Sequence, residues 1–203
     1  FFNIYRNLIF KDSVPVRAEL SGSKKLYDKK WLSEFNQPII GVSLKKENKQ
    51  ATLVALGNYK NKLTWVSSNG ISLSFIDGIL VSTRGYSEDL IQSQNKEIAT
   101  LFKNSSSLYK KKYRYLDGQN RYRDITFNCS MKSTSNIEIK MVDLTLETTK
   151  FYENCISKFT RHSNEFYVLP GTGIVLKSKQ WISPSNGSVI IYNYYAFQSD
   201  IMR

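Results

Sequence analysis

Tight-turn dipeptides set between short apolar runs constrain this chain more than any other feature. Asn69-Gly70 separates Leu63–Ser68 from Ile71–Phe75, and Asp77-Gly78 separates that run from Ile79–Thr83. Asn-Gly and Asp-Gly supply the positive φ that type I′ hairpin turns need. Ile71-Ser72-Leu73-Ser74-Phe75 alternates apolar and polar, as a strand with one buried face should. Upstream, Ile39–Leu44 and Ala51–Leu56 flank the polar turn Lys46-Glu47-Asn48-Lys49, and Gly57-Asn58 ends the second run. Five strands joined by short turns predict an antiparallel meander.

The pattern breaks and then returns. Ser87-Glu88-Asp89-Leu90-Ile91 offers a capping Ser with acids behind it, and Asn95–Phe102 spaces its apolar residues three and four apart. This predicts one or two short helices across Ser87–Phe102. Another helix is expected within Lys24–Phe35, where Leu26, Trp31, Leu32 and Phe35 share a face before Pro38. From Tyr109 the β pattern resumes in Tyr109–Leu116, Tyr122–Met131, Ile137–Val142, Phe151–Phe159, Glu165–Leu169, Ile174–Ile182 and Ser188–Tyr195. About twelve strands spaced by turn signals argue for an all-β domain, a meander closed into a barrel or strongly curved packed sheets. No linker or fixed-period repeat divides the chain, so one domain over residues 1–203 is expected.

The inventory of reactive side chains is thin. The chain has one His and two Cys among 203 residues, so a nucleophilic triad or a Cys/His zinc site would have almost nothing to draw on. His162, within Thr160–Asn164, reads as an exposed turn residue. Glu88 and Asp89 read as helix-start acids, and Gly171-Thr172-Gly173 as a β-turn lacking the third glycine of a dinucleotide fingerprint. No catalytic residue, metal-ligand set or cofactor motif is assigned. No run of 18 apolar residues is present to span a membrane as a helix.

Charge narrows the partners. Lys plus Arg is 29 against 17 Asp plus Glu, a formal +12. The basic residues cluster at Lys24-Lys25, Lys29-Lys30, Lys45-Lys46 and Lys110-Lys111-Lys112, with Arg114, Arg121 and Arg123 near the last group. Tyr109, Tyr113, Tyr115 and Tyr122 interleave there. Such a mixture suits single-stranded nucleic acid, which stacks on rings and pairs its phosphates. It equally suits an acidic glycan. It also suits an ordinary hairpin with Lys110, Lys112 and Arg114 on one face and Lys111, Tyr113 and Tyr115 on the other. Candidate binding residues are Trp65, Arg84, Tyr113, Arg114, Tyr122, Arg123 and Trp181, although both tryptophans also suit a core. A third reading is a polysaccharide-modifying enzyme using Glu88, Asp89 or Asp124. Cys129 and Cys155 are two buried thiols in a reducing compartment, or one bridge in an oxidising one.

The ordered motifs add a family. Ala51–Gly57, Leu63–Gly70, Asp77-Gly78 through Gly85, Glu88-Asp89-Leu90, Phe166-Tyr167-Val168, Gly171-Thr172-Gly173, Lys177–Pro184 and Val189-Ile190-Ile191 together resemble the YjbF/GfcB (YmcC-like) lipoproteins of exopolysaccharide and group 4 capsule export. The resemblance runs from about Asn7 to Tyr195. It implies an all-β periplasmic domain, held at the outer membrane by a lipidated Cys upstream of Phe1, and no catalytic residue is carried over from it. The implied partners are an anionic polysaccharide, outer-membrane export components and sister periplasmic subunits, not nucleic acid. An oxidising periplasm in turn implies a Cys129–Cys155 bridge.

Overall fold

The computed structural model describes residues 28–44, 49–94, 101–103 and 106–198. A five-residue helix, α1 (Lys29–Ser33), opens the described chain, with Asp28 capping it by accepting from Trp31 N at 2.7 Å. It lies inside the expected helical stretch, of which residues 24–27 fall outside the described residues, as do the turn at 45–48 and the lysine pairs Lys24-Lys25 and Lys45-Lys46. Twelve strands follow. They are β1 (Ile39–Leu44), β2 (Lys49–Tyr59), β3 (Lys62–Val66), β4 (Ser72–Ile76), β5 (Ile79–Arg84) and β6 (Glu88–Gln94). Then come β7 (Ser106–Asp117), β8 (Tyr122–Met141), β9 (Leu144–Ile156), β10 (Arg161–Val168), β11 (Val175–Ser183) and β12 (Gly187–Tyr192). A short helix α2 (Tyr195–Gln198) ends the described chain.

All twelve strands join one antiparallel sheet in the order β5-β4-β3-β2-β1-β12-β11-β10-β9-β8-β7-β6. The two edge strands are therefore consecutive in the chain, and the sheet curls into a nearly closed barrel. Side chains bridge the seam between those edges. Thr83 Oγ1 donates to Asp89 Oδ1 at 2.9 Å and accepts from Leu90 N at 2.9 Å. From the opposite wall, Gln180 of β11 accepts from Leu80 N and donates to Gly78 O, both at 2.8 Å. Edge groups that would otherwise invite pairing with another chain are thus satisfied internally.

The expected meander is present, although β2 continues through Gly57-Asn58, the expected end of its run, and turns at Lys60-Asn61. Three further differences are local. The segment expected to start a helix at Ser87 is strand β6. Asp89 does not cap a helix: it accepts from Gly85 N at 3.1 Å and Tyr86 N at 3.2 Å, fixing the β5–β6 turn, while Leu90 pairs with Tyr115. Pairing with a long neighbouring strand outweighs local helix propensity here; the remainder of that expected helix, 95–100, lies outside the described residues. Second, the runs expected as separate strands at Tyr122–Met131 and Ile137–Val142 form one strand, β8, interrupted by a bulge between Thr134 and Ile137 where Asn136 has φ 60°. Two differences in strand count cancel, so twelve remains twelve. Third, of the two glycine turns expected to be type I′, Asp77-Gly78 has both residues at positive φ, 49° and 80°, whereas in Asn69-Gly70 Gly70 alone does. Gly70 N donates to Ser67 O and Ser67 N to Ile71 O, so Asn69-Gly70 belongs to a longer turn ending in a left-handed glycine.

The bulge in β8 decides where the core sits. Before it, Ile125, Phe127, Cys129 and Met131 point into the barrel with Phe151, Phe166, Leu53 and Leu73. One extra residue in β8 turns the same sequence parity to the outside. Ile139, Met141 and Val142 accordingly join a second cluster with Leu32 of α1, Ile39, Leu176, Tyr194 and Ala196 of α2. Each fully buried Leu, Ile or Phe contributes about 1.5–3 kcal/mol. Both helices thus have one job, covering the outer face at one end of the barrel. The expected disulfide is formed: Cys129 and Cys155 face each other across β8 and β9 with Cα atoms 4.1 Å apart.

Candidate functional site

Alternation along β7 puts Tyr109, Lys111, Tyr113 and Tyr115 inside the barrel and Lys110, Lys112 and Arg114 outside. Lys111 is 1% exposed, so its charge needs a partner. Glu153, on β9 and 0% exposed, supplies it at 2.8 and 3.1 Å. Tyr109 OH and Asn164 Nδ2 also donate to Glu153. Burial pushes the Glu153 carboxyl up, but the Lys111 charge and the hydrogen bonds from Lys111, Tyr109 and Asn164 together hold it below the usual carboxylate range. Burial likewise works against the Lys111 charge, and Glu153 with Tyr113 overcomes it, leaving Lys111 above its ordinary value. Each oxygen of this carboxylate is engaged, so the cluster is a closed ion pair. Glu153 also lies near the two cysteine sulfurs, but these are consumed in the bridge, so the trio is no metal site in this state.

His162 corrects the sequence reading. It is a buried strand residue of β10, not an exposed turn residue, because the strand starts at Arg161 and places His162 opposite Cys155 on the inner face. Its ring is sandwiched between Tyr113 (centroids 5.6 Å, 20° between planes) and Trp181 (5.3 Å, 7°), with Phe127 edge-on at 4.7 Å. Neither ring nitrogen has a hydrogen-bond partner. Burial, then the nearby Lys111 charge, push its pKa down to about 4. Trp181 reaches it because the β10–β11 register stops at Glu165–Lys179. Beyond that point Trp181 N donates to the Asn164 side chain, at 2.6 Å, instead of to a strand backbone.

The other nominated residues scatter. Trp65 is 3% exposed in the core, edge-on to Tyr195, and Tyr113 is 2% exposed; neither offers a surface to a partner. Arg84 is exposed and donates to Thr83 O. Arg114 grips Asp124 with two bonds of 2.8 and 2.9 Å and lies over the exposed Tyr122 ring. Arg123 pairs with Glu88 and lies over the buried Tyr115. Glu88 is not a helix-start acid: it begins β6 and also accepts from Ser185 N. These contacts tie the β7–β8 hairpin to the β11–β12 turn at one end of the barrel.

A different row stands out on the outer wall. Cross-strand register aligns Lys150 with Tyr167, Tyr167 with Lys177, Lys177 with Tyr192, and Tyr192 with Gly41. Lys150 Nζ lies 5.2 Å from the Tyr167 ring centre, and Lys177 Nζ 5.5 Å from the same ring and 5.3 Å from Tyr192. Tyr192 stacks on Tyr194 at 6.1 Å and 11°. Gly41 makes room for that end of the row, since a Cβ there would come within 2.6 Å of Tyr194 Cε2. The neighbouring row carries Tyr152, Glu165 and Lys179. Lys and Tyr occur here at ordinary strand positions, and only the register, which no local sequence signal encodes, brings them into line.

Comparison with known proteins fits this architecture. The family model of the group 4 capsule polysaccharide lipoproteins (GfcB, YjbF) matches residues 20–192. The solved structure of the hypothetical lipoprotein YmcC from Escherichia coli K12 is similar with a TM-score of 0.72, at 16% identity, over 82% of this chain and 88% of that one. At that identity it speaks for the fold. No curated protein matches. Among the described residues no helix is long and apolar enough to cross a membrane. The match over most of the chain, carried by the same barrel, means that this protein belongs to the YjbF family of lipoproteins linked to group 4 capsule polysaccharide.

Proposed function

We propose that this protein is a non-enzymatic accessory of polysaccharide secretion, a periplasmic domain anchored to the outer membrane by a lipid. It acts by holding the glycan, the export channel or a sister periplasmic subunit. The observation that carries this reading is the family match across residues 20–192. The tied state of the acids supports binding over catalysis. Glu88 is held by Arg123 and Ser185 N, Asp89 by the β5–β6 turn, and Asp124 by Arg114 and Lys112. None is poised opposite a second carboxyl as an acid and base pair requires. Deleting the gene should reduce surface polysaccharide; an unchanged surface polysaccharide would overturn the reading. Turnover of a surface glycan by the purified protein would replace binding with catalysis.

A further inference from the structure

We propose that the outer wall of β7 and β9, with the β9–β10 turn, is a contact patch for an anionic phospholipid surface. Leu108, Ile156 and Phe159 enter the lipid interface, and Lys110, Lys158 and Arg161 meet its headgroups. The inference stands apart from the export reading, since it concerns a lipid surface and needs no glycan. Of the four Leu, Ile and Phe side chains that stand exposed among the described residues, three gather here: Leu108 at 83%, Phe159 at 78% and Ile156 at 60%. Register places them together. Lys110, Asn128, Ile156 and Arg161 form one row across β7 to β10, and Leu108, Ser130, Asn154 and Ser163 form the next. Neighbouring strands lie about 4.8 Å apart, so Lys110 and Arg161 are separated by about 14 Å with Ile156 between them. Phe159 stands in the turn just past Ile156. Ser157 fixes that turn: its Oγ donates to Thr160 O at 2.9 Å and accepts from Phe159 N at 3.2 Å and Thr160 N at 3.0 Å.

Charge points to an anionic surface. Among the described residues Lys110, Lys158 and Arg161 pair with no carboxylate. Neither row contains an Asp or Glu, and the turn contains none. The outward acids next along these strands are engaged, Asp124 by Arg114 and Lys112 and Glu165 by Lys150. Lys158 Nζ lies 5.9 Å from the Phe159 ring centre, so cation and ring are presented together. Exposed apolar side chains flanked by basic ones match the two attractions a bilayer offers, its acyl boundary and its anionic headgroups. The spacing selects against other partners. Asn128, Ser130 and Asn154 lie between Leu108 and Ile156, whereas the core of a protein interface is a continuous patch depleted of charge. Leu108 and Ile156 carry no ring on which a base could stack. Each apolar side chain projects singly, as a wedge into lipid does. Where the anchor proposed above holds the chain at a membrane, the patch would set which wall of the barrel faces it.

The test is co-sedimentation of the purified full chain with vesicles of phosphatidylglycerol and phosphatidylethanolamine, and with vesicles of phosphatidylcholine alone. The anionic vesicles should bind it, less tightly as salt rises, and the phosphatidylcholine vesicles about tenfold more weakly. Phe159→Ser and Lys158→Gln/Arg161→Gln should each lose about tenfold in affinity while melting within a few degrees of the parent. Leu56→Ser, which removes an exposed apolar side chain on β2, five strands from β9 in the sheet order, should leave binding unchanged. Phe159→Trp should shift its emission to the blue on anionic vesicles. Absence of vesicle binding by the parent, full binding by either patch variant, an equal loss with Leu56→Ser, or an unshifted emission would overturn the patch. So would tighter binding to oligo(dT) or hyaluronan, or a stable dimer that Phe159→Ser dissociates, each of which would give the surface to a different partner.

Discussion

Lysine and tyrosine meet twice in this barrel, and the two meetings have opposite outcomes. On the inner face of β7, Lys111 sits over Tyr113 at 5.4 Å and is neutralised by Glu153, with Tyr109 and Asn164 completing the shell. On the outer wall, Lys150 and Lys177 sit over Tyr167 at nearly the same distance, and Lys150 pairs with a partly exposed carboxylate, Glu165, instead of a buried one. Local chemistry is the same, and solvent decides the rest. Inside, an unmatched charge would cost several kcal/mol, so the cluster must close on itself. Outside, water screens the charges, so the same contacts do not have to close on themselves. A net charge of +12 therefore says little until each lysine is given a face.

The contrast is sharpest at Lys111. Lys111→Met should cost about 3–5 kcal/mol, because it strands a buried carboxylate, and pairing it with Glu153→Leu should recover most of that loss. Urea unfolding of both variants measures the difference; a single variant as stable as the parent would break the account of a closed pair. Reducing the Cys129–Cys155 bridge, or replacing both residues with Ala, should cost about 3–4 kcal/mol for a loop of this size. Thermal melting with and without reductant reads that loss.

His162 adds a pH dependence to the interior alone. Tyr113, Trp181, Phe127, Lys111 and Glu153 face it, and its folded pKa of about 4 lies below the ordinary value of about 6.5. The unfolded chain therefore takes up the proton first as pH falls. Stability from this residue is present above pH about 6.5 and drains away down to about 4, a loss on the order of 3 kcal/mol. His162→Phe, which keeps a ring in the sandwich, should flatten stability across that window. The smallest effect is expected outside: Lys177→Gln should change stability by no more than about 0.5 kcal/mol. A larger loss there would mean that the outer row is structural, like the inner one.

The sequence made the strands legible because their turns carry Gly, Asn and Asp at fixed places. It also made the inward face of β7 legible through the tyrosines at 109, 113 and 115, whose even spacing puts Lys111 on the same face. It misled at Ser87–Leu90, where a capping pattern fits a turn as well as a helix, and only pairing with Tyr115 decides between them. His162 was hidden because Arg161-His162-Ser163-Asn164 carries no apolar residue to announce a strand. The outer row was hidden for a deeper reason. Its members come from four strands, and their alignment depends on two extra residues in β11, one opposite Tyr167/Val168 and one between Trp181 and Ser183. Such shifts belong to the sheet as a whole, not to any window of sequence.

The strand order has a consequence for how the molecule assembles. Of the eleven neighbouring pairs in the sheet, ten join strands consecutive in the chain. Nine of these need a loop of no more than six residues and β6–β7 one of eleven, and such local closures are entropically cheap and fast. The pair β1–β12 alone must bring distant parts of the chain together. It is this pairing that sets Gly41 beside Tyr192 and lets Tyr194 lie over it. The last rung of the outer row thus exists only in a fully assembled ring, so the Tyr192–Tyr194 stack is a mark of a finished barrel that a half-built one lacks.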